Sequence, residues 1–220
     1  TTYQQFFTAP DDPKQPQASA KLTGALTADD FGKLGLTLQG MRGAVPATLS
    51  YEKGVKTPTQ LALDIDFTPA GFTLPMLNWQ KPEKAAASGK LRLTLDKKGP
   101  QLKELTLKGP QLDVAVSGTL EDSLQPKSLI CQPCKIGRND LRLKLDFAAG
   151  ELAEANVSGA VLDWHDADTT GNKPTASADS PVRKPLKLKL EIGKLYQGND
   201  HFFANVRGTL RRDGPGWGLI

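Results

Sequence analysis

Arg138 to Trp164 reads RNDLRLKLDFAAGELAEANVSGAVLDW, and this stretch decides the fold. Leu141, Leu143, Leu145 and Phe147 alternate with Arg142, Lys144 and Asp146, so one face is apolar and the other charged. A period of two is the signature of a strand buried on one side only. Ala148-Ala149-Gly150 breaks the run, and Leu152, Val157 and Val161 follow at looser spacing. The pattern predicts an antiparallel hairpin with a short, Gly-containing turn.

The same plan recurs on both sides. Toward the N-terminus Leu91, Leu93 and Leu95 alternate cleanly, followed by Leu102, Leu105 and Leu107, by Val114 and Val116, and by Leu124 to Ile130. Lys97-Lys98-Gly99-Pro100, Gly109-Pro110 and Glu121-Asp122-Ser123 supply the turns. Earlier still, Ala44–Tyr51 pairs with Gln60–Phe67, whose Leu61, Leu63, Ile65 and Phe67 oppose Asp64 and Asp66. Lys33–Gln39 reads as a clear strand and Lys21–Leu26 as a weak one; Thr1–Gln17 reads as a frayed end. Thr68–Lys84, TPAGFTLPMLNWQKPEK, breaks the rhythm and predicts a helical turn or a plug over an open end of the sheet.

Beyond Trp164, residues 165–185 (HDADTTGNKPTASADSPVRKP) are polar and aperiodic and predict a long mobile loop. Leu186, Leu188, Leu190 and Ile192 then alternate with Lys187, Lys189 and Glu191. His201–Leu210 follows, and Trp217 opens a last strand. The expected fold is all-β: a long, twisted antiparallel sheet of roughly 12–14 strands with no confident helix. Its Leu-rich face must be hidden by a second sheet, by closure into a barrel, or by curling into a groove around other apolar material.

Composition narrows the function classes. The 220 residues include 21 Gly and 16 Pro, which suits many short strands. A net charge of +4 from 28 basic and 24 acidic residues is spread along the strands, without the basic block that grips a phosphate backbone, so nucleic acid is not an expected partner. Neither an 18-residue apolar run nor a signal-peptide pattern occurs. Thr1 and the strand-like end at Ile220 suggest one segment, residues 1–220, of a longer chain.

Catalytic patterns are missing: no Gly-x-Ser-x-Gly, no phosphate-binding Gly loop, no His-Glu-x-x-His. Asp163, His165, Asp166 and Asp168 are the densest potential ligands, but a solvated loop explains them and no metal or cofactor is expected. His201 beside Asp200 is expected to face water. Cys131 and Cys134, as Cys-Gln-Pro-Cys, leave a local disulfide, inert thiols or a redox or metal pair open; the disulfide ranks first. A redox pair normally needs a helix N-terminus, whereas a strand-like segment follows here. The repeated leucines remain: a sandwich core, or a lining for acyl chains.

The order of features resembles the AsmA-like family of bacterial envelope proteins, YhdP and TamB type. The resemblance rests on Leu61-Ala-Leu-Asp-Ile-Asp-Phe-Thr-Pro-Ala, on Leu74-Pro-Met-Leu-Asn-Trp-Gln-Lys-Pro82, on Gly159-Ala-Val-Leu-Asp163 and on Gly208-Thr-Leu-Arg-Arg-Asp-Gly-Pro-Gly-Trp217. It spans Leu34 to Ile220; Asn78 stands where the pattern has Gly, and the cysteine pair lies outside it. The resemblance implies a periplasmic segment of a protein anchored in the inner membrane, whose sheet curls into an apolar groove. It implies non-catalytic transfer of phospholipid between inner and outer membranes, with envelope proteins as further partners. The expected groove lining is Leu61, Leu63, Ile65, Leu91, Leu93, Leu95, Leu141, Leu143, Leu145, Leu186, Leu188 and Leu190.

Overall fold

A computed structural model describes residues 2–6, 16–33, 38–54, 57–74, 79–97, 99–164, 185–197, 201–212 and 218–219. Thirteen strands form one sheet in near-sequential order. They are β1 (Thr2–Phe6), β2 (Pro16–Thr27), β3 (Ala44–Gly54), β4 (Thr59–Asp66), β7 (Ser88–Asp96), β8 (Gly99–Gly109), β9 (Leu112–Leu120), β10 (Pro126–Ile136), β11 (Asn139–Ala148), β12 (Glu151–Trp164), β13 (Leu186–Gln197), β14 (Phe202–Arg212) and β15 (Gly218–Leu219). The two remaining strands, β5 (Phe72–Leu74) and β6 (Trp79–Lys81), make a separate ribbon. The chain is nearly all β, and the long sheet is not closed into a barrel.

Period-two patterning explains the strands, and local chemistry explains where they turn. Between β11 and β12 both Ala149 and Gly150 take positive φ, at 49° and 77°. That conformation matches the twist of a two-residue hairpin turn, and Gly adopts it without steric cost. Register is reinforced on the polar face by opposite charges facing each other: Glu191 with Arg207 at 3.1 Å, Lys135 with Asp140 at 3.3 Å, Glu154 with Lys187 at 3.7 Å. Such exposed cross-strand pairs each contribute about 0.2–1 kcal/mol, enough to disfavour a slipped register. Arg92 holds Asp64 more firmly, since its guanidinium also donates to the carbonyls of Leu63 and Leu91.

Several expectations are corrected. The sheet is not antiparallel throughout: β12 and β13 run parallel, with Glu154 opposite Lys187 and Trp164 opposite Gln197. An antiparallel neighbour needs only a short turn, whereas a parallel one needs a connection that returns along the strand, and residues 165–184 lie between them. The loop expected at 165–185 falls almost wholly outside the described residues. Lys33 belongs to a short helix, α1 (Ala28–Lys33), rather than to a strand, and residues 34–37 lie outside the described residues. The signal for α1 was present: Thr27-Ala-Asp-Asp has a cap residue three positions before Asp30, and Asp30 Oδ2 accepts from both the Thr27 amide and hydroxyl. Thr2–Phe6, expected to be frayed, pairs with β2. Trp217, expected to open the last strand, lies outside the described residues. The cysteines sit inside β10 rather than before a strand.

Candidate functional site

Residues directly opposite on neighbouring strands share a face, so the register defines what runs across the sheet. One row crosses eleven strands: Leu22, Leu49, Leu63, Leu91, Leu105, Val116, Cys131, Leu143, Val157, Leu190, Gly208. A second row beside it contains Leu61, Leu93, Leu129, Leu145 and Leu188, and a third contains Ile65, Leu107, Val114, Leu141 and Ile192. At roughly 4.8 Å per strand spacing each row is about 48 Å long. These rows, and not the leucines of any one strand, are the units of the apolar face. Leu141, Leu143 and Leu145 therefore belong to three different rows.

The expected lining residues fall mainly on these rows. Only Leu95, opposite Thr59 and Pro100, and Leu186, opposite Arg212, stand outside them. None of the twelve is buried; most are half-buried, and Leu95 is 40% exposed. A face of this kind inside a sandwich would be covered. Among the described residues, the two-stranded ribbon and α1 are the elements outside the long sheet, and they cover one part of it.

That cover is an aromatic cap. The Thr68–Lys84 segment, expected to be a helical turn or a plug, forms the β5–β6 ribbon, with residues 75–78 outside the description. Phe31 from α1, Phe67, Phe72 and Trp79 make a chain of ring contacts at 5.4–5.9 Å and are all buried. The cap meets the third row where that row has no side chain: a Cβ on Gly89 would come within 2.9 Å of the Phe67 ring. Two polar clamps hold it. Trp79 Nε1 donates to the carbonyl of Pro110 at 2.8 Å. Lys81 is 1% exposed, and its Nζ donates to the carbonyls of Ala70 at 2.7 Å, Pro82 at 3.0 Å and Thr68 at 3.3 Å. Burial pushes the Lys81 pKa down, against the opposing pull of Asp66 and Glu83. All three ammonium donors are used, so this lysine is a structural staple.

Between cap and sheet lies an apolar cavity of about 90 Å³, walled chiefly by Phe31, Phe67, Phe72, Trp79, Leu107 and Leu112. It is large enough for the end of a hydrocarbon chain and offers water few partners. The apolar rows run away from it across the uncovered strands.

Cys131 and Cys134 are joined by a disulfide. They are three residues apart, yet their partners on both neighbouring strands, Val116 and Val114, Leu143 and Leu141, are two apart. β10 thus carries an extra residue, and the bridge spans the bulge. Both sulfurs are buried among aliphatic groups. Besides bridging the bulge, these residues fill places in the first and third rows. Also missing from the expected lining were Leu49, Leu105, Val116, Leu129 and Val157, whose own alternation was legible but whose registers were not.

The other candidates separate. Asp163 is tied to Arg138 at 3.6 Å, while His165, Asp166 and Asp168 lie outside the described residues. Among the described residues no group of three His, Cys, Asp or Glu side chains is placed to hold a metal. His201 is exposed, and its carbonyl accepts from the Gln197 amide in the β13–β14 hairpin. No family model, no curated protein and no solved structure matches this chain.

Proposed function

We propose that the uncovered apolar face carries lipid acyl chains, and that the chain is a non-catalytic periplasmic segment of an AsmA-like phospholipid-transfer protein, part of a chain anchored in the inner membrane. The observation that carries the reading is that most leucines and valines of the rows stay half-exposed, among them Leu63, Leu91, Leu143, Val157 and Leu190, although Val114, Cys131, Cys134, Ala155 and Ile192 are buried. Exposed apolar surface on this scale marks a site for an apolar partner. Hydrocarbon in water costs about 0.8 kcal/mol per CH₂, so a row of half-exposed leucines and valines offers chains a shielded path. Rows of similar residues with few polar anchors give many weak, equivalent positions, which suits movement better than tight binding. A chain filling one leaflet of a core about 30 Å thick covers about a third of a row. The rival reading is a structural sandwich scaffold for an envelope assembly. It requires a second covering layer, which the small cap does not supply over β11–β14.

The test is chemical. The purified 220-residue chain is extracted with organic solvent and the extract assayed for phospholipid. Leu190→Asp is then compared: the groove reading expects cooperative unfolding to survive while bound lipid is lost, because Leu190 keeps access to water. A lipid-free wild-type protein, or collapse of the fold in Leu190→Asp, sinks the reading.

A further inference from the structure

The end of the β13–β14 hairpin breaks the rule that governs the rest of the sheet. Within these strands one face is polar, with Lys187, Lys189 and Glu191 opposite Arg211, Thr209 and Arg207. At the hairpin end Leu195 stands opposite Phe203 on one face, while Tyr196 stands opposite Phe202 on the other. Both faces are therefore apolar there, and a lining role explains only one of them. Phe202 is 47% exposed and Phe203 58%, against the half-buried leucines of the rows.

Cations stand on the rings. The Arg138 guanidinium, from the β10–β11 turn, lies 4.4 Å from the centre of the Tyr196 ring. Lys194 Nζ lies 5.2 Å from the centre of Phe202, and the two rings are 5.3 Å apart. Asp163 offsets part of the Arg138 charge, whereas among the described residues no ion pair claims Lys194. Exposed aromatic groups beside cations suit the boundary of a bilayer, where rings enter the acyl margin and the charges stay among the headgroups. Apolar groups on both sides of a hairpin end suit a medium that surrounds the end, and the cations beside them suit its headgroup margin.

We propose that this hairpin end docks on a lipid bilayer surface carrying anionic headgroups, with Phe202 and Phe203 inserted and Lys194 and Arg138 at headgroup level. The net charge of +4 acts in the same direction. This contact goes beyond the acyl-chain reading and does not depend on it.

Co-sedimentation with phosphatidylcholine vesicles, with and without phosphatidylglycerol, tests the docking. The wild-type chain is expected to pellet with the phosphatidylglycerol vesicles, and added salt is expected to weaken this. Replacing Phe202→Ser and Phe203→Ser together is expected to lower partitioning about tenfold or more. Lys194→Gln is expected to lower it about fivefold, on the anionic vesicles only. Because all three side chains are exposed, the fold should hold, and Phe203→Trp gives an independent readout through a blue shift of its emission on insertion. Wild-type protein that ignores both vesicle types, or a double-Phe variant that binds as well as wild type, overturns the proposal. So does displacement from vesicles by monomeric short-chain phosphatidylglycerol, which would assign the cations to a single lipid. Both variants should keep any phospholipid extracted with the wild-type chain; vesicle binding by a lipid-free protein would sink the groove reading and leave this one standing.

Discussion

The capped stretch of the sheet and the stretch from β11 to β14 have the same alternation of leucine and charge, yet they end in different environments. Under the cap, Leu112 and Val114 of the sheet are buried in one cluster with Phe67, Phe72 and Trp79, and the third row is filled from above at Gly89. Across β12 and β13, Val157, Leu188 and Leu190 occupy equivalent row positions and remain half-exposed, although Ala155 and Ile192 on the same strands are buried. Similar patterning thus builds a core with an aromatic cover in one place and a largely half-exposed face in the other. The difference teaches that alternation specifies a face, while the presence of a covering element specifies whether that face is core.

One substitution in the cap and one on the open strands give the sharpest way to break this comparison. Trp79→Ala removes a buried ring and its bond to Pro110 and should cost about 3–5 kcal/mol, whereas Leu190→Ala should cost about 1 kcal/mol. Urea unfolding measures both, and equal costs would abolish the distinction. A smaller effect is expected at the staple: Lys81→Met leaves the carbonyls of Ala70, Pro82 and Thr68 without their donor, for a loss of about 2 kcal/mol. An unchanged denaturation midpoint for this variant would show that packing alone holds the cap.

The smallest effect is one of pH. The Thr27 amide holds the Asp30 carboxyl below its ordinary value, and the Thr68 hydroxyl and amide do the same for Asp66. The Ser128 hydroxyl lowers Asp146. A carboxyl with a depressed folded-state pKa stabilises fully above its unfolded value of 3.8 and loses that contribution as pH falls through the lower folded value. Two of these groups, Asp30 and Asp66, flank the cap, so acid should loosen the cap before the open strands. Hydrogen exchange followed below pH 4 checks this, and Asp66→Asn should flatten the cap's response.

Much of this fold was legible. Strands β3, β4, β7, β11 and β13 follow from their own period of two, and the β11–β12 turn follows from Ala149-Gly150. The lining was legible in part, because Leu63, Leu91, Leu143 and Leu190 could be assigned to an apolar face but not to a common row. Rows depend on register between strands, and one bulge, as at Cys131–Cys134, moves every later partner by a residue. The parallel β12–β13 ladder was hidden for a similar reason: strand direction depends on the path of the connection, not on the composition of either strand.

What the sequence by itself determined was which residues form strands and which side of each strand is apolar, since steric preference and alternation act within a few residues of chain. The tertiary structure alone decided which parts of that apolar side are covered, that two cysteines serve in its rows, and that the β13–β14 end is apolar on both faces beside cations. Those features arise between residues far apart in the chain, and burial is a property of the space around a side chain.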